Sequence, residues 1–276
     1  MLANNRPRIV PVLAAVAMCL IVAACGSSMS EDSAAEPSAA AVGSSPVVVV
    51  LDGSESMLTA DAPGPRIDAA RDAVSTFVEG LPSKTPFGLV AYGNTKSAAS
   101  TPQAEGCEDV HTVIDLAPIE KSDANSAIAG VAAMGWTPLA TALEQGSGLI
   151  GNQRGSLVLV SDGESTCAPD PCDTAAELRR SNPELSISTI GFKSSSAELE
   201  CVARVGGGVF VTADNAAQLT SRLAAARDAE ATRRQLTNKG LANVNIGSTI
   251  DDIHDVNPSF PELSSGSSSG GRVTVR

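Results

Sequence analysis

Three short segments of the sequence place oxygen-bearing side chains at spacings that suit the binding of a cation. Asp52, Ser54 and Ser56 alternate directly after a run of apolar residues, and Asp162 follows a second apolar run. Thr137 stands between these segments, where a helix is predicted to begin. Carboxylate and hydroxyl oxygens are hard ligands, which suit Mg²⁺ or Mn²⁺ and disfavour the metals that prefer sulfur. The sequence therefore predicts a magnesium or manganese site, provided that the fold brings the three segments together.

The elements that must position these residues alternate along the chain. Apolar runs predict buried strands at 47–51, 87–92, 157–160, 185–192 and 208–212. Apolar residues at helical spacing predict helices at 67–78, around 128–134, from 138, from 171, at 196–205 and from 215 towards 236. The segment 110–116 alternates between apolar and polar residues, as a half-buried edge strand does. The predicted class is α/β: a doubly wound, mostly parallel sheet with helices on both faces and one antiparallel edge strand.

This topology decides whether the oxygen ligands meet. In a doubly wound sheet of order 3-2-1-4-5-6, the first and fourth strands are neighbours, and ligands bind in the crevice at their carboxyl ends. If the edge strand at 110–116 is the third strand, Asp52 and Asp162 belong to that crevice. Each motif alone is more simply a turn or a helix cap, and Thr137 before Pro138 is a good N-cap. Their joint occurrence at one sheet edge favours metal binding.

Five residues together resemble the metal-ion-dependent adhesion site of von Willebrand factor type A domains, including those of integrins: Asp52, Ser54, Ser56, Thr137 and Asp162. The segments 135–139 and 162–164 resemble bacterial secreted members in particular. The resemblance implies that Ser54, Ser56 and Thr137 contact the metal directly. It also implies that Asp52 and Asp162 act largely through waters and through hydrogen bonds to the serines.

The resemblance further implies the kind of ligand that the module binds. A cation with few negatively charged ligands keeps a coordination position that a carboxylate from another protein can take. We therefore expect an adhesion or scaffolding module whose partner, an envelope or extracellular protein, presents an Asp or Glu. Glu55 stands where many family members have a small residue, and Trp136 belongs either to the core or to the rim of the site. A nucleic-acid partner is not expected, because the net charge is −12 at pH 7.

Two other functions are compatible with the same residues. A metal-activated hydrolase would use Glu55 or Glu164 as its base, and a structural envelope module would carry a vestigial site. The segment 53–56 lacks the second glycine of a nucleophile elbow, and the sequence has no phosphate-binding Gly-x-x-x-x-Gly-Lys. The two histidines, His111 and His254, are predicted away from the crevice. We therefore predict a binding module and not an enzyme.

The N-terminal segment predicts secretion and lipid attachment. Two arginines precede an apolar run at 12–24, which is too short to span a bilayer and fits the hydrophobic region of a signal peptide. The small residues before Cys25 resemble a bacterial lipobox, in which the cysteine is acylated with fatty acids such as palmitate and becomes the new N-terminus. We expect a signal peptide at 1–24, then a lipidated Cys25 with a flexible Ser/Ala-rich tether at 25–45, and an extracytoplasmic domain anchored to the cell membrane. An ordinary secretion signal cut nearby is the alternative.

Four cysteines remain in the body of the chain: Cys107, Cys167, Cys172 and Cys201. Outside the cytoplasm an even number indicates two disulfides, and a zinc site is disfavoured because no Cys-x-x-Cys spacing occurs. Cys172 and Cys201 lie near the starts of helices that should be neighbours, which favours their pairing and leaves Cys107 for Cys167. The alternative, with Cys167 paired to Cys172 and Cys107 paired to Cys201, stays open.

The two ends of the predicted domain differ in character. The type A domain is expected to cover 46–226. The segment 227–276 is predicted to extend the last helix and then to continue as a poorly defined, partly Ser/Gly-rich tail. The arginines of that last helix, Arg222 and Arg227 among them, are expected to face solvent.

Overall fold

The computed structural model describes residues 45–82, 84–118, 120–229 and 231–232. The predicted signal peptide, the lipidation site Cys25, all of the tether except residue 45, and the tail beyond residue 232 lie outside the described residues. Within the described ranges, no helix combines the length and the apolar composition needed to cross a membrane.

Six strands form one sheet: β1 (Val47–Asp52), β2 (Pro86–Tyr92), β3 (Val110–Pro118), β4 (Gly155–Ser161), β5 (Leu185–Phe192) and β6 (Gly207–Ala213). Their order across the sheet is β3-β2-β1-β4-β5-β6. Neighbouring strands are parallel except β2 and β3, which are antiparallel. The predicted α/β class, a doubly wound sheet with one antiparallel edge strand, is therefore confirmed.

Seven α-helices lie within the described residues: α1 (Arg66–Glu79), α2 (Gln103–Gly106), α3 (Lys121–Ala129), α4 (Leu139–Ile150), α5 (Pro171–Ser181), α6 (Ala197–Val205) and α7 (Ala216–Arg227). Helices α1, α3 and α7 pack on one face of the sheet, and α4, α5 and α6 pack on the other. The valines of β1 alternate between these cores, with Val47 and Val49 in the first and Val48 and Val50 in the second. The strand is apolar at these positions because both faces are covered, and each buried valine stabilises the fold by about 1.5–3 kcal/mol.

Local capping signals set the starts of two helices beside the candidate site. Asp170 caps α5: its carboxylate accepts hydrogen bonds from the backbone N–H of Cys172 at 2.7 Å and of Asp173 at 3.1 Å, while Pro171 takes the first helical position. Ser196 caps α6 in the same way. Both caps fix loops at the carboxyl ends of β4 and β5, the edge of the sheet that carries the candidate site.

The predicted helix around 128–134 is shorter than expected. Helix α3 ends at Ala129, before Gly130, so Val131 and Met134 lie in the loop that follows it. The backbone explains the difference, because the N–H of Met134 donates to the carbonyl of Gly53 at 2.8 Å rather than to a helical neighbour. Apolar residues at helical spacing therefore belong to a loop at this point of the chain.

The prediction for Arg222 is wrong. Arg222 is only 2% exposed, and its Nε donates to the carbonyl of Thr212 in β6 at 3.2 Å. A long aliphatic stem lets arginine enter an apolar contact while its charged end finds hydrogen-bond acceptors. Helix α2, only four residues long, was also not predicted, because a single turn has no periodicity to detect.

Candidate metal centre

Asp52 and Asp162 lie side by side at the carboxyl edge of the sheet. Asp52 is the last residue of β1, and Asp162 follows the last residue of β4, which pairs with β1. Both carboxylates are buried, and the backbone N–H of Asp162 points to Oδ2 of Asp52 at 3.4 Å. The two acidic residues therefore meet where the strand order predicted that they would.

Ser54 and Ser56 complete a connected group with these carboxylates. The backbone N–H of Ser54 donates to Oδ1 of Asp52 at 2.7 Å, and the hydroxyl oxygens of Ser54 and Ser56 are 3.0 Å apart. The hydroxyl of Ser56 donates to Oδ1 of Asp162 at 2.6 Å. A single turn of 3-10 helix, Glu55–Leu58, begins directly after Ser54 and keeps the two hydroxyls within reach of each other. Four of the five predicted residues thus share one hydrogen-bonded cluster.

Thr137 is brought to this cluster by its backbone neighbours. On one side, the carbonyl of Gly135 accepts a hydrogen bond from the N–H of Glu55 at 3.0 Å, which joins the segment to the serine turn. On the other side, the N–H of Thr137 donates to Oγ1 of Thr166 at 2.8 Å, in the loop after β4. Thr137 is buried, and within the described chain its hydroxyl makes no hydrogen bond to the other four predicted residues.

Close backbone packing holds these segments together. The N–H of Gly53 donates to the carbonyl of Tyr92 at 2.8 Å, and the N–H of Met134 donates to the carbonyl of Gly53 at the same distance. Gly93 has a φ of +62°, and a Cβ there would lie 2.5 Å from the backbone oxygen of Trp136. Glycine alone fits such a position, so β1, β2 and the loop before α4 meet backbone to backbone.

The site concentrates negative charge in a buried place. Burial raises the pKa of Asp52 and the carboxylate of Asp162 raises it further, although hydrogen bonds from Ser54 and Ser161 act in the opposite direction. The hydroxyl of Ser161 donates to Oδ2 of Asp52 at 2.7 Å. The phenol of Tyr92 is fully buried, and its oxygen has no hydrogen-bond partner of good geometry among the described residues. Burial, followed by the nearby charge of Asp52, raises the pKa of Tyr92 well above its usual value.

One ion pair at the site was not predicted from the sequence. Nη1 of Arg66 donates to Oδ2 of Asp162 at 2.9 Å. Arg66 is the first residue of α1, where the helix dipole disfavours a cation. An arginine at such a position could have indicated, from the sequence, that a carboxylate pairs with it. Among the described residues no ion pair involves Asp52, so Arg66 is the direct counter-charge of one buried carboxylate and not of the other.

A comparison with protein families decides the identity of this fold. The family model of the von Willebrand factor type A domain matches residues 47–225 of the chain. The chain belongs to this family. Among the relatives of this chain is the uncharacterized protein YwmD of Bacillus subtilis (strain 168), 31% identical over 177 residues that cover 62% of this chain and 79% of YwmD. YwmC of the same organism, also uncharacterized, is 28% identical over 174 residues, which cover 60% and 76% of the two chains.

Solved structures share the architecture of the chain. The conserved hypothetical protein BatB from Bacteroides thetaiotaomicron superposes with a TM-score of 0.51 at 15% identity, over 71% of this chain and 98% of BatB. Proximal thread matrix protein 1 from the mussel byssus gives a TM-score of 0.51 at 19% identity, over 68% of this chain and 48% of that protein. At these identities the likeness concerns the fold alone.

The donor set of this type A domain fits a hard divalent cation. Ser54 and Ser56 place hydroxyl oxygens beside the carboxylates of Asp52 and Asp162, and oxygen atoms are the donors that such cations prefer. Asp52 is buried without an ion-pair partner in the described chain. A bound cation would compensate the negative charge of this carboxylate. Across the same residues, no three side chains of His, Cys, Asp or Glu gather as a metal-holding group. A cation here would therefore depend on the hydroxyls beside the two carboxylates.

The residues expected around the rim have different environments. Glu55 and Glu164 are exposed. Trp136 is half-buried: its Nε1 donates to the carbonyl of Thr101 at 3.2 Å, and its ring covers Gly106, where a Cβ would lie 2.0 Å from the indole Cδ1. Trp136 therefore packs against the loop around α2 rather than standing free on the rim.

The four cysteines of the domain form two disulfides. Cys107 pairs with Cys167, with Cα atoms 5.7 Å apart, and Cys172 pairs with Cys201, with Cα atoms 5.6 Å apart. This is the pairing that the sequence favoured. The first disulfide joins the loop around α2 to the loop after β4, next to Thr166, and the second joins α5 to α6.

His111 lies in a separate polar cluster around Asp109. The buried carboxylate of Asp109 accepts hydrogen bonds from the backbone N–H groups of Thr95 and Lys96 at 2.9 and 2.8 Å, and Nε2 of His111 lies 2.7 Å from its Oδ1. Burial raises the pKa of Asp109, but these hydrogen bonds outweigh it, so the net shift of the pKa is downward. The same imidazole nitrogen also faces the Thr95 hydroxyl at 3.1 Å, so the group lacks the relay of a nucleophilic triad and instead fixes the loop after β2.

Proposed function

We propose that this type A domain binds Mg²⁺ or Mn²⁺ and uses the bound cation to capture a carboxylate of a partner protein. Ser54, Ser56 and Thr137 are the direct ligands in this proposal, while Asp52 and Asp162 hold the serines and the metal-bound waters. Membership of the family supports the general part of the proposal, because type A domains are generally protein-interaction modules.

One observation carries the proposal. Asp52 and Asp162 are buried beside each other, and among the described residues the guanidinium of Arg66 pairs with Asp162 but not with Asp52. Placing two anions in a low dielectric is unfavourable unless positive charge compensates them. A cation bound between the carboxylates and the serine hydroxyls would supply that charge, and the folded state would be stabilised by it.

The residues around the site orient the two carboxylates so that a bound cation could exchange a water ligand for a carboxylate of the partner. The cation, when bound, supplies an electron-poor coordination position for an incoming carboxylate. Asp52 is oriented by the N–H of Ser54 and the hydroxyl of Ser161, and Asp162 is oriented by Ser56. Because the direct ligands are neutral hydroxyls, most of the charge of the cation is left to attract the partner.

A single metal–carboxylate bond is too weak to select one partner, so the surrounding surface must add contacts. Leu58 ends the 3-10 turn that begins after Ser54. Its large apolar side chain is 50% exposed, which is unusual among the described residues. Exposed Glu55 lies at the other end of the same turn. We place the specificity of the partner on this turn.

The proposed place of action is the outer face of the cell membrane, with Cys25 carrying the lipid. The support is the apolar run at 12–24 that ends in small residues before Cys25. Two disulfides in the domain add to it, because disulfides persist in oxidising compartments.

Thermal unfolding with and without a divalent cation tests the metal part of the proposal. Mg²⁺ or Mn²⁺ should raise the melting temperature, because a ligand that binds only the folded state stabilises it by about 2.7 kcal/mol at 100 times its Kd. Asp52→Ala and Ser54→Ala should lose the response. Asp115→Ala, which removes an exposed carboxylate on β3, should keep it. A response that persists in Asp52→Ala would place the site elsewhere.

Capture of a partner from envelope extract tests the ligand part. The wild-type chain in Mg²⁺ should retain a protein that EDTA releases and that Thr137→Ala fails to hold. Neutralising one acidic residue of that protein should abolish its capture as well. A protein that is retained equally well in EDTA would show that the interaction surface is not the metal site.

A further inference from the structure

Arg66 is held between a buried carboxylate of the candidate metal centre and an exposed carboxylate outside it. Its Nη1 donates to Oδ2 of Asp162 at 2.9 Å, and its Nε and Nη2 donate to Oδ1 and Oδ2 of Asp61 at 2.9 and 2.8 Å. The side chains of Asp162, Arg66 and Asp61 are 0%, 16% and 40% exposed. The guanidinium therefore connects the interior of the site to its surface.

The position of Arg66 conflicts with the local preference of a helix. It is the first residue of α1, where the unpaired backbone N–H groups and the helix dipole favour anions and disfavour a cation. The ion pairs with Asp61 and Asp162 offset this unfavourable position. A local rule that is broken beside a candidate site indicates that the residue acts in that site.

A closed turn fixes Asp61 opposite Arg66. The N–H of Arg66 donates to the carbonyl of Thr59 at 3.0 Å, Ala60 and Pro65 form an isolated antiparallel bridge, and the N–H of Ala62 donates to the carbonyl of Gly64 at 3.1 Å. This turn follows the serine segment directly. The turn therefore brings the backbone of Asp61 close to the start of α1, where the two side chains can pair.

We propose that Arg66 sets the balance between cation binding and ligand binding at this site, lowering the affinity for the cation and raising the affinity of the loaded site for a carboxylate. This inference rests on the proposed metal-dependent function. Asp52 and Asp162 bring two negative charges, and Arg66 offsets one of them before a divalent cation enters. The empty site therefore attracts a cation less strongly, while the loaded site keeps a net positive charge that attracts an anion.

Asp61 acts on the same balance from outside. Its bidentate contact draws part of the positive charge of Arg66 away from Asp162. Without that carboxylate, Arg66 would pair with Asp162 alone and oppose an incoming cation more strongly. The neutralisation of Arg66 and the neutralisation of Asp61 should therefore change cation affinity in opposite directions.

The first arm of the test measures Mn²⁺ affinity by titration calorimetry on the full chain. Arg66→Gln should bind Mn²⁺ about tenfold more tightly than wild type, and Asp61→Asn about threefold more weakly. Arg71→Gln is the matched control, because Arg71 lies on the same helix and donates to the carbonyls of Ala129 and Val131, away from the site. Its Mn²⁺ affinity should equal that of wild type.

The second arm measures carboxylate binding with acetate as the probe. Acetate is titrated at saturating Mn²⁺ and constant ionic strength, and the relaxation of solvent water protons reports the loss of metal-bound water. Arg66→Gln should bind acetate about tenfold more weakly than wild type, the reverse of its effect on Mn²⁺. A residue that only maintained the structure would change both affinities in the same direction.

The outcomes separate this inference from the function on which it rests. A wild-type chain that binds no Mn²⁺ would overturn the proposed function, and the inference with it. A wild-type chain that binds Mn²⁺ while Arg66→Gln binds it equally or more weakly would overturn the inference alone. Arg66 would then be a residue that positions Asp162.

Discussion

The N–H of Thr137 donates to Oγ1 of Thr166 at 2.8 Å, and the N–H of Thr166 donates back to the carbonyl of Thr137 at 3.1 Å. The same carbonyl accepts a second hydrogen bond, from the hydroxyl of Ser165 at 3.0 Å. Ser165 and Thr166 belong to the loop that also carries Asp162. The proposed threonine ligand is therefore positioned by the loop of one of the acidic residues, although the two are far apart in the sequence.

This relationship predicts the effect of Thr166→Val, a change of similar volume that removes the acceptor for the N–H of Thr137. The affinity for Mn²⁺ should fall about three- to tenfold, while the free energy of unfolding in EDTA should fall by only about 1–2 kcal/mol, the usual cost of one unsatisfied hydrogen bond. Titration calorimetry and denaturant unfolding measure the two effects.

The control for Thr166→Val is Thr112→Val on the edge strand. The hydroxyl of Thr112 accepts one hydrogen bond from Gln145, at 2.8 Å and away from the site. This variant should lose a little stability and no Mn²⁺ affinity. Equal Mn²⁺ affinities for Thr166→Val and wild type would contradict the positioning role of Thr166.

The two disulfides should differ in their effect on the site. The Cys107–Cys167 disulfide lies next to Ser165 and Thr166, the loop residues that make hydrogen bonds to Thr137. The side chain of Gln103, in helix α2, also donates to the carbonyl of Thr166. The Cys107→Ser, Cys167→Ser double variant should therefore bind Mn²⁺ several-fold more weakly than wild type, measured by calorimetry at a temperature where the chain is folded. The physical reason is that the loop carrying Thr166 gains conformational freedom.

The second disulfide supplies a matched control for stability. The sequence separations of the two pairs are 60 and 29 residues, so loop-closure entropy gives stability losses of about 4 and 3.5 kcal/mol for their removal. The Cys172→Ser, Cys201→Ser variant should lose stability to a similar extent and keep its Mn²⁺ affinity. Equal losses of affinity in the two double variants would show that the effect is one of stability alone.

Asp52→Asn should stabilise the metal-free domain at neutral pH and abolish its response to cations. Because burial raises the pKa of Asp52 in the folded state, this group favours folding fully only below its unfolded pKa, and the contribution is lost as the pH rises through the folded pKa. The neutral amide avoids that loss. Denaturant unfolding in EDTA between pH 3.5 and 8 should show that the free energy of unfolding of the variant, relative to that of the wild type, increases as the pH rises.

The exposed residue Asp115 controls for the simple removal of a negative charge in that experiment. Asp115→Asn should show neither the gain in stability nor the loss of the cation response. If Asp52→Asn were the less stable protein in EDTA at pH 7, the hydrogen bonds from Ser54 and Ser161 to the carboxylate would outweigh the unfavourable effect of its burial.

Cys25→Ser should leave the chain without a lipid and release it from the membrane fraction or leave it uncleaved. The reason is that an acidic chain, with a net charge of −12, would be repelled by anionic headgroups, so the proposed attachment to the membrane would require the lipid. Mass spectrometry of the wild-type N-terminus is the measurement. A mature protein that begins at another residue, with no acyl mass, would exclude lipidation at Cys25.

Periodicity and residue type were enough to predict the sheet and the place of the acidic residues. The run Val47 to Leu51 is apolar throughout because both faces of β1 are covered, and the alternation at 110–116 marks an edge strand. These signals reside in consecutive residues, so they can be read without coordinates. The doubly wound strand order then brings Asp52 and Asp162 to neighbouring strand ends.

The tertiary structure alone decided which groups face these residues. Arg66 and Asp162 are 96 residues apart in sequence, and Thr137 and Thr166 are 29 apart, yet each pair is joined by a hydrogen bond. The burial of Tyr92 beside Asp52, and the early end of α3 where its loop turns back to Gly53, arise in the same way. Local periodicity reflects which face of an element is covered, whereas counter-charges and hydrogen-bond partners are set by the packing of segments that are distant in the chain, so only the folded structure shows them.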